Sequence, residues 1–491
     1  AGDAPQTLTY ADAERGSAQV AALLRALGVR RGDRVAVQVD KSPASLVAYL
    51  GVVRAGAVLL PMNPAYRPDE VGYLLRDAEP AVAIGRPGDT DFAQAARGAR
   101  VRHLFDLDAF GRGSWADAVD AADGSTFSGD APPIADDDLA AIVYTSGTTG
   151  RSKGAMLSHR NLVSNARALH EIWRFQPGDV LIHALPTFHV HGLFVATNTA
   201  MLNASTILLH RRFDPAVVVA DLARSTVFMG VPTMYVRLLT EPGLTHEQCG
   251  GMRLFVSGSA PLHLDTFERF RARTGHTILE RYGMTETSMI TSNPCDGVRK
   301  GGTVGLPLPG VEVRVVDEHD AEQVAGAVGD VQVRGPNVLR GYWRQPDRTA
   351  ADFTPDGWFR TGDVGVFDDD GYLTLVGRSK DLVITGGYNV YPKEIELLLD
   401  EVPGVVESAV IGVPHPEFGE GVTAVVVVEP GRTIDTVALI AALREHLAAY
   451  KAPKAVITVD ELPRNAMGKV QKNLLRERLK NLYDTFSEPT S

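Results

Sequence analysis

The sequence predicts an α/β protein: a large N-terminal domain of parallel α/β sheets with a small β-barrel-like subdomain, then an α+β C-terminal domain. Three observations carry that prediction. Apolar strands alternate with helices from about residue 33 to 262, the pattern of βαβ units. After "TVGLPLPG" the chain turns β-rich, with polar turns between "VEVRVVDE", "GDVQVRGP" and "GYLTLVGRSKDLVI". The segment 380–491 then mixes strand and helix in a compact run. The domains are therefore 1–379, with its β-rich part at about 305–379, and 380–491. The boundary falls within "GRSKDLVITGG", 377–387.

The first strand is "DRVAVQV", 33–39. "SPASLVAYLGVVRAG" follows as a helix, with Pro43 just inside its start and Gly56 at its end. "AVLLPMN" is the next strand, "RPDEVGYLLRDAEP" a helix and "AVAIG" a strand. Residues 112–136, rich in Asp, Gly, Ser and Pro, read as a surface connection. "LAAIVYTSG" is a strand running into a glycine-rich loop. "SHRNLVSNARALHEIW" places Leu162, Ala166, Leu169 and Trp173 at helical spacing. "DVLIHALP", "TILLH", "TVFMGVP" and "RLFVSGSAPL" continue the alternation. In the last segment "YNVYPKEIELLLDEV" and "VALIAALREHL" read as helices, "VVESAVIGVP" and "GVTAVVVVEP" as strands.

Composition narrows the function classes. At 491 residues the chain exceeds one hydrophobic core, so several domains are expected. The formal net charge of -11 argues against nucleic acid as a partner, which needs a basic face. No run of about 18 apolar residues marks a membrane span. Cys249 and Cys295 are the only cysteines and lack CxxC spacing, so a reducing, bacterial-type cytoplasm fits best. The abrupt opening "AGDAPQTLTYADAERG" leaves a removed or organellar targeting segment open.

Several loops could carry chemistry. "YTSGTTGRSKG", 144–154, puts three glycines, hydroxyl side chains and Lys153 after a hydrophobic strand. Converging backbone N–H groups, hydroxyls and a cation suit a triphosphate. Five residues on from Gly147 comes Ser152, not a Gly-Lys-Ser/Thr triplet, so the loop is not a Walker A P-loop. "GWFRTGD" ends on Asp363, a carboxylate able to accept both hydroxyls of a ribose, though Gly-Asp turns are common. "PRNAMGKVQK", 463–472, holds Lys469 after Gly468, which lets the chain approach a ligand closely. "FHVHG" sets His189 and His191 on one side of an extended segment. With no Cys or carboxylate nearby in sequence, they suit a substrate pocket or an aromatic contact better than a metal.

In this order, "YTSGTTGRSKG", "YGMTET", "GWFRTGD", "GRSKDLVITGGYNVYPKEIE" and "PRNAMGKVQK" resemble the acyl-adenylate-forming superfamily. That superfamily holds acyl-CoA synthetases, firefly-type luciferases and peptide-synthetase adenylation domains. The resemblance implies that a carboxylate attacks the α-phosphate of ATP, pyrophosphate leaves, and a thiol displaces AMP from the acyl-adenylate. It implies ATP and Mg²⁺ as cofactors and coenzyme A as co-substrate. By the same resemblance Ser146, Gly147, Thr148, Thr149, Gly150 and Lys153 cradle the phosphates, with Thr145 and Glu286 on Mg²⁺. Gly258, Ser259, Ala260, Glu280, Tyr282, Gly283, Met284 and Thr285 form the adenine slot. Asp363 takes the ribose and Arg378 lies near ribose and phosphates. Lys469 bridges the attacking carboxylate and the α-phosphate. The C-terminal domain is then mobile, with its hinge at Lys380. Gly386, Gly387 and Tyr388 meet coenzyme A, Gly387 leaving room for the pantetheine arm. Lys469 also resembles a site silenced by a lysine acetyltransferase.

Arg281, in "LERYGMTET", is the odd residue: a permanent cation among small and aromatic neighbours. An apolar acyl chain gains nothing from a guanidinium, whereas a second carboxylate is matched by its planar fork. "LPTFHVHGL", "FMGVPTMYVRLL", "VSGSAPL", "ERYGMTETSMITSNP" and "DLVITGGYNVYPKEIE" resemble the malonyl-CoA synthetase subgroup, which implies malonate, often with methylmalonate. Arg281 is then the candidate for the distal carboxylate, with His189, Arg237 and Ser259 in support. Arg237 could instead face solvent or coenzyme A from a helix. Arg281 could instead pair with Glu280 or Glu286. The alternatives within this reading are a short-chain monocarboxylate or aryl acid ligase, and a partner that loads a carrier protein. A non-catalytic nucleotide-binding protein is a third class.

Overall fold

The computed structural model describes residues 7–127, 133–145, 152–386, 388–465 and 468–483. The chain packs as two compact units, Ala1–Glu312 with Val333–Phe359, and Val313–Gln332 with Arg360–Ser491. The sequence boundary at 379/380 follows composition, whereas this partition follows packing and groups most of the β-rich part with the C-terminal segment.

The first unit is built on two sheets. The six-stranded sheet runs His103–Asp106, Val82–Gly85, Arg34–Val37, Val58–Pro61, Leu139–Thr145 and Lys153–Ser158 in spatial order. Its neighbouring pairs are parallel except the last, an antiparallel hairpin. The apolar runs read as buried strands are covered on both faces, as parallel sheets require. The seven-stranded sheet runs Leu306–Pro307, Ser288–Ser292, Leu279–Met284, Leu254–Ser257, Val227–Gly230, Val180–His183 and Thr206–Leu209.

Side-chain caps mark the start of several helices. Ser42 and Ser45 form a reciprocal cap before helix Pro43–Arg54, and Ser158 with Asn161 does the same for His159–Ile172. Leu162, Ala166, Leu169 and Trp173 are buried, as their spacing predicts. Beside the seven-stranded sheet, Tyr235, Phe255 and Phe270 meet edge to face, with Phe255–Phe270 centroids 4.9 Å apart.

One stretch differs from its sequence reading. The polar connection at 112–136 contains helix Ser114–Asp120 and a 3-10 turn, Gly124–Phe127. Trp115 anchors the helix: it is fully buried and packs edge-on against Phe105 at 5.4 Å. One aromatic side chain orders a segment whose composition signals loop.

The second unit holds most of the sheet Glu312–Val316, Gly329–Arg334, Phe359–Phe367, Leu373–Arg378, whose last pair is antiparallel. It also holds a five-stranded sheet centred on the antiparallel pair Val405–His415 and Gly419–Val428. That pair is buried on both faces. Val410, Val422 and Val426 enter one core, while Ile411, Val413, Val425 and Val427 enter the other, following the two-residue strand period. No helix among the described residues is long and apolar enough to cross a membrane.

Candidate active site

Strand Leu279–Met284 runs parallel to Leu254–Ser257 on one side and antiparallel to Ser288–Ser292 on the other. Ligand sites in such sheets lie beyond the C-terminal ends of the parallel strands. Gly258, Ser259 and Ala260 continue from that end of Leu254–Ser257.

Arg281 lies on this strand and is 2% exposed. Its guanidinium rests on Gly258: a β-carbon there would stand 2.5 Å from the guanidinium carbon, so a larger residue would require the arginine side chain to shift. Its Nε and Nη2 are buried and have no hydrogen-bond partner among the described residues. Among the described residues no carboxylate forms an ion pair with it, so the pairing with Glu280 or Glu286 is not formed. Glu280 is buried and accepts from the Leu262 backbone N–H at 3.1 Å. Burial pulls the Arg281 pKa down to about 9, against the opposing pull of Tyr235 and Glu280. The group is therefore still a cation at neutral pH.

His191 stands near it, at the start of a π-helical segment, His191–Ala196. Such segments are rare and frequent at functional sites. The ring is buried, and burial together with Arg281 holds its pKa well below the ordinary value, so it is neutral. Its Nδ1 lies 3.2 Å from the Ser259 hydroxyl. When that hydroxyl donates, the ring proton sits on Nε2, which has no partner among the described residues. The cluster thus presents unmet donors on Arg281, joined by His191 Nε2 in the tautomer that accepts from Ser259. Groups that only donate call for a ligand rich in acceptors. His189, half-buried, lies two residues before His191.

Ser259 reaches His191 from a left-handed conformation, φ +73°. Ser259→Gly should relieve that strain while loosening the unfolded chain, leaving stability within about 1 kcal/mol of the parent. Losing the hydroxyl should nevertheless raise the KM for the acid. Denaturation midpoints and initial rates check both, and an unchanged KM would remove Ser259 from the acyl site.

A second cluster lies on the hairpin. Thr145 and Lys153 face each other across it, one at each end of the glycine-rich loop. Ser146, Gly147, Thr148, Thr149 and Gly150 lie outside the described residues. The Lys153 ammonium sits 4.1 Å from the centre of the Tyr342 ring and 3.7 Å from Asp352. Its pKa is lowered by burial and by Arg348. The Tyr342 hydroxyl donates to Glu286 Oε1 at 3.2 Å. Burial, then Glu286 and Asp352, push that phenol's pKa far up, so it keeps its proton. Sequence reasoning missed Tyr342 and Asp352. The nearest signal was the aromatic pair in "RGYWR", whose Tyr342 bridges to Ala155 of the hairpin.

Tyr282 is buried on the same strand as Arg281. Gly283, Met284 and Thr285 lead half-buried into the turn that carries Glu286. Arg237 is not brought to this cluster. It is exposed on helix Pro232–Leu238 and stacks on Phe213 at 5.0 Å, while Tyr235 and Leu238 of the same helix point inward.

The remaining predicted residues belong to the second unit. Asp363 and Arg378 are directly opposed across their hairpin, with Arg378 Nε 3.0 Å from Asp363 Oδ1. Asp363 is buried and its backbone N–H donates to the Thr361 hydroxyl. Lys380 lies in the 3-10 turn Ser379–Asp381. Gly386 takes φ +58° in the turn between Val383–Thr385 and Tyr388–Val390. Gly387 lies outside the described residues. Tyr388 is exposed and stacks on Tyr450 at 4.5 Å. Lys469 is half-buried. Its backbone N–H donates to Asn465 Oδ1 at 3.0 Å, and its carbonyl accepts from the Asn465 N–H, with Gly468 at φ +74°.

Comparison with known proteins bears on the same residues. The family model described as AMP-binding enzyme matches residues 2–343, and that described as AMP-binding enzyme C-terminal domain matches residues 394–469. The crystal structure of ATP-bound MatB from Rhodopseudomonas palustris has a TM-score of 0.93 and 54% identity, covering 96% of this chain and 94% of that one. A feruloyl-CoA synthase of Amycolatopsis sp is 37% identical over 96% of this chain and 94% of its own length. A malonate–CoA ligase of Arabidopsis thaliana is 35% identical over 92% of this chain and 79% of its own length.

Proposed function

The chain belongs to the AMP-binding enzyme family and is an acid–thiol ligase, and from that premise we propose that it joins malonate, and methylmalonate with it, to coenzyme A. The intermediate is a malonyl-adenylate, and the other products are AMP and pyrophosphate. One observation carries the choice of acid: the buried Arg281 guanidinium, with two donors unmet and no carboxylate ion-paired to it among the described residues. A second carboxylate supplies the missing acceptors and the missing charge.

The residues divide the work. Arg281, His191 and Ser259 hold the distal carboxylate and leave the proximal one free to attack. Lys153 and the loop after Thr145 bear the phosphates of ATP. Asp363 takes the ribose hydroxyls with Arg378 beside it. Lys469 meets the α-phosphate, where negative charge gathers during attack, so a cation there lowers the barrier more than it tightens ground-state binding. The C-terminal domain then turns about Lys380, and Gly386, Gly387 and Tyr388 meet the thiol substrate.

Mg²⁺ fits this set. It is commonly held by one or two carboxylates plus phosphate oxygens rather than by an all-protein cage. Glu286 is a buried carboxylate, and no group of three or more His, Cys, Asp or Glu among the described residues could enclose a metal. Glu286 and Thr145 would hold the ion, whose charge offsets that of the phosphates.

The 37% likeness to a feruloyl-CoA synthase favours a second reading, ligation of an aryl or short-chain monoacid. That reading leaves the Arg281 donors unmet against an apolar group, at a cost of several kcal/mol. Thioester formation with malonate, methylmalonate, succinate, acetate, benzoate and ferulate separates the two. Malonate should exceed acetate in kcat/KM by roughly a hundredfold. A preference for ferulate or benzoate would establish the second reading.

A further inference from the structure

Lys41 takes no part in the scheme above, yet it is 7% exposed and stands between strand Arg34–Val37 and helix Pro43–Arg54. Its ammonium lies 2.8 Å from His183 Nδ1, 2.6 Å from the His183 carbonyl and 2.8 Å from the Leu185 carbonyl. His183 closes strand Val180–His183 of the other sheet, and its Nε2 lies 2.9 Å from the Gly192 carbonyl. A carbonyl only accepts, so the ring proton is on Nε2 and Nδ1 offers a lone pair. Lys41 therefore faces three acceptors, and only the charged form has three N–H groups to satisfy them. Burial pulls its pKa well down, but this geometry holds the ammonium. The same burial, with Lys41 alongside, keeps His183 neutral.

The acceptors are not scattered. The Leu185 carbonyl starts the segment "LPTFHVHG", and the Gly192 carbonyl lies in its last residue, next to His191. Thr197 donates to the same Gly192 carbonyl at 2.9 Å. At Gly192 a β-carbon would fall 2.0 Å from the Pro186 carbonyl, so the segment is closed tightly on itself. It is fastened at both ends to one buried pair.

We propose that Lys41 and His183 are positioning residues of the acyl site: together they fix both ends of segment 185–192 and so set where His191 stands beside Ser259 and Arg281. The inference rests on the reading of that cluster as the acyl site. Neither residue touches the acid. Each acts through backbone carbonyls, and the buried charge on Lys41 is kept because a neutral amine would leave one of the three acceptors unmet.

The test compares the wild type with Lys41→Met and Lys41→Gln. Lys41→Met should raise the malonate KM about tenfold, as expected for a small displacement of a positioning group, with the ATP KM changed less than about twofold. Lys41→Gln, which keeps two donors, should recover part of the loss. Hydrogen exchange of 185–196 should quicken in Lys41→Met while strand Leu254–Ser257 stays protected. An unchanged malonate KM, or an equal rise for ATP, would overturn the proposal. Should Lys41→Met not fold, Lys41→Gln is compared alone with the wild type, and exchange is read in the wild type itself. There 189–196 should be as protected as strand Val180–His183, and loop-like exchange would sink the idea. If the wild type uses another acid, the substrate panel shows it before any variant is made. The KM comparison is then run with that acid.

Discussion

Arg281→Ala is expected to raise the KM for malonate by roughly a hundredfold or more, while activity on acetate or propionate changes far less. On the malonate reading, the guanidinium is a feature of the proposed acyl cluster that a monoacid does not need. Its cost is visible in the fold: the group is buried over Gly258, with two donors unmet and its pKa pulled down to about 9. Arg281→Met, which fills part of the space without charge, should therefore stabilise the ligand-free protein. Replacing an unpaired buried cation by an apolar side chain returns on the order of 1–4 kcal/mol. Denaturation midpoints and initial rates on one preparation read both effects. Malonate should also raise the Tm of the wild type and leave that of Arg281→Ala unmoved. A variant that keeps its malonate KM would place the distal carboxylate elsewhere.

Lys469→Ala should lose the first half-reaction and keep the second. Adenylation places negative charge at phosphorus and a cation there is worth about 10²–10³-fold in rate, whereas thiol attack on a finished acyl-adenylate has no such requirement at Lys469. Pyrophosphate exchange measures the first step, and thioester formation from supplied malonyl-adenylate measures the second. Equal loss in both would contradict the division of labour about Lys380. Loss confined to adenylation would support it.

Much of the fold was legible because many of its strands are apolar runs and its helices show punctuation such as Pro43 and Gly56 or the apolar spacing of Leu162, Ala166, Leu169 and Trp173. Ser42 before Pro43 and Ser158 before His159 mark helix starts that the structure keeps. The helix around Trp115 was not legible, since one buried ring outweighs the Gly, Asp and Ser around it. Arg281 could be singled out because a cation on an apolar strand is locally anomalous. Its unmet donors could not, because Gly258 and His191 reach it from other segments. Asp352, Lys41 and His183 left no local pattern either, and Tyr342 only the aromatic pair in "RGYWR": each matters through a partner far off in the chain. Arg237 sat in a matching motif, but helix phase turns it outward while Tyr235 and Leu238 turn in.

The contact between Gly258 and the Arg281 guanidinium has a consequence for chain length. If Arg281 holds the distal carboxylate as proposed, its side chain over Gly258 also takes space that a longer acyl tail would need, and it would serve as a stop as well as a charge. Removing it would leave a void of roughly the volume of the lost side chain beside Gly258, which has no β-carbon. A short diacid would then rattle and leave quickly, while an apolar acid several carbons longer would find room. On that reading one residue pair would set both the charge and the reach of the acid that is activated.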